Sequence, residues 1–165
     1  MGAFMIFGLT LYTFVHVLIS LIAIVAGLVV LYGLLHSDRM NSWTSVFFLF
    51  TVATTLTGFG FPFVKVTPAF TLGILSTIVL IVALSARYAF RMMGIWRSLY
   101  VISSVIALYL NCFVLVVQSF QKLPALHALA PNGSEPPFAI AQGIVLLFFI
   151  VTGYMAVRRF HPRPV

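Results

Sequence analysis

The sequence predicts an all-α polytopic membrane protein, a bundle of five transmembrane helices, and three observations carry that expectation. Hydrophobic residues make up 62% of the 165-residue chain and charged residues only 7%, whereas about a quarter of a soluble globular domain is charged. The mean hydropathy is +1.18. The few charges lie between apolar segments rather than within them, which sets spans at about 13–35, 45–61, 68–86, 99–120 and 137–157. A chain of this length makes one transmembrane domain and leaves nothing for a separate aqueous one.

The formal net charge of +7 comes from nine Lys and Arg. They cluster at the ends of apolar segments, where they read as topology signals rather than as a nucleic-acid surface. The expected partners are the lipid bilayer and either further copies of the chain or a larger membrane complex. Cys112 stands alone in an apolar run, so it forms no intrachain disulfide and reads as a small core residue.

The first apolar run, Phe4 to Leu35, exceeds one span, because about 20 residues already cross a hydrocarbon core of roughly 30 Å. Counting back from Leu35 at 1.5 Å per residue puts His16 about 28 Å away, near the opposite membrane face. The run has neither the basic start nor the cleavage site of a secretory signal, so mature structure is expected. Met1-Gly2 suggests myristoylation, but Ile6 stands where Ser or Thr is needed. Thr13, His16, Ser20, Ala23 and Gly27 recur at steps of three and four, a small or polar stripe suited to close helix packing in lipid.

His36, Asp38 and Arg39 form a polar turn. The second span carries Thr51, Thr54, Thr55 and Gly58 along one face, with Thr57 adjacent. Thr57-Gly-Phe-Gly-Phe-Pro-Phe63 lacks the Lys-Ser/Thr of a phosphate loop and is expected to end the helix at Pro62, with Lys65 at the far interface. Pro68 suits the start of the third span, packed through Gly73, Ser76 and Thr77. Arg87, Arg91 and Arg97 surround Met92, Met93 and Trp96 in a connection basic and amphipathic enough to lie on a lipid surface. The fourth span sets Ser104, Asn111 and Gln118 at sevens along one face. The fifth ends in Arg158-Arg159.

Five spans put seven basic residues on one side (Arg39, Arg87, Arg91, Arg97, Arg158, Arg159 and Arg163) and only Lys65 and Lys122 on the other. The expected topology is therefore C-terminus in the cytoplasm and N-terminus outside. Trp43 and Trp96 fall at the cytoplasmic ends with Tyr32, Tyr88, Tyr100 and Tyr154, as interfacial anchors do. Between the last two spans lies an outer loop from Gln121 to Pro136. Pro124 to Ala130 is expected to form a short helix there, Ser134 to cap the fifth span, and Glu135 to complement its dipole. Asn132-Gly133-Ser134 matches the glycosylation triplet but reads more simply as a turn.

Amides and a histidine are unfavourable in lipid unless partnered, so the candidate ligand-binding residues are His16, Asn111, Gln118 and Gln142, with His127 and Glu135 above them. They are expected to line one outward-opening polar pocket; the alternative is that they serve as hydrogen-bonding glue between helices. No catalytic signature and no metal set are found, and no cofactor is expected. The run His16 to Leu31, the turn Thr57 to Phe63, and Pro124-Ala-Leu-His-Ala-Leu-Ala-Pro131 with Glu135-Pro-Pro-Phe-Ala-Ile-Ala-Gln142 resemble a family of uncharacterised small bacterial inner-membrane proteins. That resemblance implies a bacterial inner-membrane setting and carries over no activity.

The function expected is non-enzymatic: an accessory or assembly subunit, or a binder of a small amphipathic ligand. One alternative is a membrane redox protein holding haem b or quinone through His16, although b-haem ordinarily takes two axial histidines. The other is passive permeation of a neutral solute, since no span contains a paired acid and base.

Overall fold

A computed structural model describes residues 5–6, 9–61 and 68–162. Pro62, Lys65 and Arg163, singled out above, lie outside the described residues. A two-residue antiparallel pairing of β1 (Met5–Ile6) with β2 (Leu9–Thr10) precedes the helices. These are α1 (Leu11–Leu35), α2 (Asn41–Gly58), α3 (Pro68–Leu84, continued by a π-helical turn Ser85–Ala89), α4 (Ile95–Lys122), α5 (Pro124–His127) and α6 (Pro136–Arg159).

Among the described residues, four helical stretches are long and apolar enough to cross a membrane: Leu11–Leu35, Pro68–Ala89, Ile95–Lys122 and Pro136–Arg159. The expected second span is a helix, but not one of those four. Its 18 residues include Asn41, Ser42, Ser45 and five threonines, which dilute its apolar content. Three of those threonines are internally bonded: Thr54, Thr55 and Thr57 donate to the carbonyls of Phe50, Thr51 and Ala53 at 2.7–2.9 Å, so these hydroxyls add no unpaired donor.

Helix α4 is the centre of the bundle, with 44% of its most apolar 18-residue stretch buried, against 11% for α6. It packs on α1, α3 and α6, while α2 lies against α1 and α3. The stripe predicted on α1 is the packing face, with Ala23 fully buried and Gly27 at the tightest point. A Cβ at Gly27 would come within 2.5 Å of Leu108 Cδ1 and 2.9 Å of Phe47 Cε2. Only glycine lets α1, α2 and α4 meet there.

Two regions depart from expectation. The basic stretch read as an amphipathic connection is mostly helix. The π-helical turn extends α3 to Ala89, and α4 begins at Ile95 rather than near Leu99, leaving a short turn with positive φ at Arg91, Met92 and Gly94. Arg87 is buried rather than lying on lipid, and Tyr100 is fully buried rather than interfacial. Both face inward because each satisfies the other, as described below. At the other end of the bundle, Ser134 does not cap α6. Glu135 holds the N-cap position, and Pro136 and Pro137 open the helix, where a missing N–H carries no penalty.

Candidate functional site

Near the start of α1, His16 Nδ1 lies 2.8 Å from Thr57 Oγ1 on α2. The Thr57 hydroxyl also lies 2.7 Å from the Ala53 carbonyl of its own helix, so His16 joins α1 to a hydrogen-bonded turn of α2. The Tyr12 hydroxyl donates to the Thr57 carbonyl, and the Phe61 ring stands edge-on to His16 with centroids 5.1 Å apart. These contacts tie the beginning of α1 to the end of α2.

Deeper in the bundle, Asn111 Nδ2 donates to Thr51 Oγ1 at 3.3 Å, joining α4 to α2. Gln142 Nε2 donates to the Phe113 carbonyl at 3.2 Å, joining α6 to α4. Gln142 Oε1 is buried without a partner among the described residues. Gln118, expected on the same face as Asn111, is exposed, while Phe120 two residues on is buried against Phe138 of α6: at this end α4 turns a different face to its neighbours.

The outer loop gathers the remaining two candidates. Exposed His127, with Gln121, Gly133 and Phe138, lines a small cavity of about 180 Å³ between the end of α4 and the start of α6. Glu135 folds back on its own loop: Oε1 accepts from the Asn132 backbone N–H at 3.0 Å and from Asn132 Nδ2 at 2.8 Å, and Oε2 accepts from the Ser134 N–H at 3.0 Å. Hydrogen bonds from Asn132 lead the causes that lower the Glu135 carboxyl to about 2. Glu135 therefore organises a turn.

None of these hydrogen bonds joins two of the six candidates. His16, Asn111 and Gln142 each bond to a neighbouring helix instead. The four histidines of the chain include one within an apolar span, His16. His36 leans on Tyr32 at one end of α1, His127 is exposed, and His161 follows α6. That set does not supply the two facing axial ligands of a b-haem within one chain. Among the described residues, no group of three or more His, Cys, Asp or Glu is placed to hold a metal ion.

The most connected polar cluster is one the sequence reading missed. Arg87 Nη1 donates to the Tyr100 hydroxyl at 3.0 Å and Nη2 to Asn41 Oδ1 at 2.7 Å. Its guanidinium also lies 5.2 Å from the Tyr100 ring centroid and 5.7 Å from that of Tyr88. With 8% exposure, a cation here needs such acceptors and π faces. Close by, Arg97 Nη1 donates to the carbonyls of Phe160 and Val157, and the His161 N–H donates to Ser37 Oγ at 2.7 Å. The two arginines and Ser37 lock the ends of α1, α3 and α6 to the starts of α2 and α4.

Comparison with known protein families, with curated proteins and with solved structures finds no match to this chain.

Proposed function

We propose that this chain is a five-span bacterial inner-membrane protein with a non-enzymatic role, an accessory or assembly subunit of a membrane complex. The observation that carries the reading is the use made of the intramembrane polar groups. His16, Asn111 and Gln142 each bond across a helix interface, which rigidifies a bundle and leaves no set converging on a reacting atom. A fifth crossing by α2 is supported by its ties to α1 at both ends. Thr57 meets His16 and Tyr12 at one end, and Met40 abuts Gly33 at the other. Its 18 residues rise about 27 Å, close to a hydrocarbon core. The basic ends then face the cytoplasm and the His127 loop faces outward.

A second reading, a small amphipathic ligand taken from the outer leaflet, is favoured by one observation, the unpaired buried Gln142 Oε1. The two readings separate on extraction in a mild detergent at native expression. An accessory subunit migrates with a second membrane polypeptide or with further copies of itself, so that the protein mass of the particle, detergent subtracted, exceeds its own 18.2 kDa. A chain that migrates alone, with or without a bound small molecule, contradicts the assembly reading. A visible spectrum of the same sample tests the redox alternative, which predicts a Soret band abolished by His16→Ala.

A further inference from the structure

Resting on the membrane reading above, we infer that the groove between α4 and α6 holds one acyl chain of an anionic glycerophospholipid, with its phosphate at Arg158. The groove has a volume of about 420 Å³ and is lined on α4 by Ile102, Ile106 and Tyr109 and on α6 by Leu146, Ile150 and Tyr154. That volume is in the range of small-molecule sites, about 300–1,000 Å³.

Length selects the occupant. From Leu146 to Val157, both on the wall, the groove runs eleven residues, or about 16 Å at 1.5 Å each. This is roughly half of a 30 Å hydrocarbon core, the depth of one leaflet. An acyl chain fits that depth, and a helix of a second copy crossing there instead is the outcome that the dimer test below separates.

Charge selects the headgroup. The groove ends at Tyr154 and Val157, where Arg158 stacks on the Tyr154 ring at 5.8 Å and Arg97 reaches the Val157 carbonyl at 3.4 Å. Arg158 and Arg159 are both exposed. The chain has two acidic side chains, Asp38 and Glu135; Glu135 lies at the opposite end of α6, and Asp38, at the same end as Arg158, is turned into the α1–α2 turn, where its Oδ1 accepts from the Met40 N–H. The α4 N-terminus, with no side-chain cap at Gly94, adds its positive dipole end beside Arg97. A phosphate at the mouth meets Arg158 from α6 and the N-terminus of α4, while Arg97 offsets the negative C-terminal end of α6 through the Val157 and Phe160 carbonyls.

Native mass spectrometry of the detergent-solubilised chain tests this with phosphatidylglycerol and phosphatidylcholine of identical acyl chains. The expected result is one phosphatidylglycerol per chain, bound in preference to phosphatidylcholine. Arg158→Gln should weaken phosphatidylglycerol about fivefold, the effect of one basic residue at a membrane surface, and leave phosphatidylcholine unchanged. Ile150→Trp, at a position 58% exposed, should fill the groove and remove the bound lipid while helical content is kept. Equal binding of the two lipids, or a preference untouched by Arg158→Gln, overturns the proposal. So does a dimer that Ile150→Trp dissociates without loss of lipid. If Ile150→Trp does not fold, the lipid comparison and Arg158→Gln still decide. Recovery of the chain in the aqueous fraction without detergent refutes the membrane reading itself, which is a different failure.

Discussion

Two half-buried amides make different predictions because Gln142 keeps a buried oxygen without a partner among the described residues and Asn111 does not. Asn111→Leu removes the bond to Thr51 and should destabilise the detergent-solubilised protein by about 1 kcal/mol, the scale of an interhelical hydrogen bond in lipid. Gln142→Met also removes one bond, but it eliminates a buried carbonyl oxygen with no partner, whose burial costs a comparable amount. Its unfolding free energy should stay nearly unchanged. Denaturation by SDS titration reads both, and equal losses for the two variants would contradict the distinction. At the surface, the Glu135 carboxyl is held at about 2 in the folded loop, below its ordinary 4.5. Its support of the 132–135 turn is therefore complete above about pH 4.5 and is lost as pH falls through about 2. The Asn132 and Ser134 amide resonances should titrate near 2, and removing the Asn132 side-chain donor by Asn132→Ala should raise that midpoint.

The helical elements were legible wherever hydropathy and spacing speak directly. The stripe of Thr13, His16, Ser20, Ala23 and Gly27 named the packing face of α1 because small residues at steps of three and four lie on one face. Pro68 and Pro124 marked helix starts for the reason that their missing N–H is unneeded there. What stayed hidden was pairing over distance. Asn41 is 46 residues from Arg87 and Tyr100 is 13 residues from it, and Tyr100 alone has the residue type and position of an interfacial anchor. The candidate site was legible as residues and not as an arrangement, since helical spacing places Asn111 and Gln118 on one face without saying which face of α4 its neighbours cover at each level. The Arg87 cluster also sets an element-scale prediction. Tyr100→Phe keeps the ring beneath the guanidinium but removes its acceptor, and should cost about 2 kcal/mol, as for a hydrogen bond to a charged group. A loss no larger than that of an exposed Tyr154→Phe would mean the hydroxyl does not hold Arg87.

Across the whole molecule, the two ends of the bundle are chemically different. One gathers Arg87, Arg97, Arg158 and Arg159, with Ser37 and Asn41, where five helix ends meet. The other carries His16, Thr57, the His127 cavity and the Glu135 turn. That polarity is what a bundle oriented by the positive-inside rule requires, and it depends on α2 crossing the membrane alongside α1. The decisive site is the turn between those two helices, because only a crossing α2 puts Asp38 on the opposite side from His127. Single cysteines at Asp38, Arg91 and His127, introduced in a Cys112→Ser background and probed in intact cells with a membrane-impermeant maleimide, read this directly. Labelling of His127→Cys in intact cells, with Asp38→Cys and Arg91→Cys reacting only after permeabilisation, is the predicted result; labelling of Asp38→Cys together with His127→Cys, or of Arg91→Cys with His127→Cys spared, would contradict it.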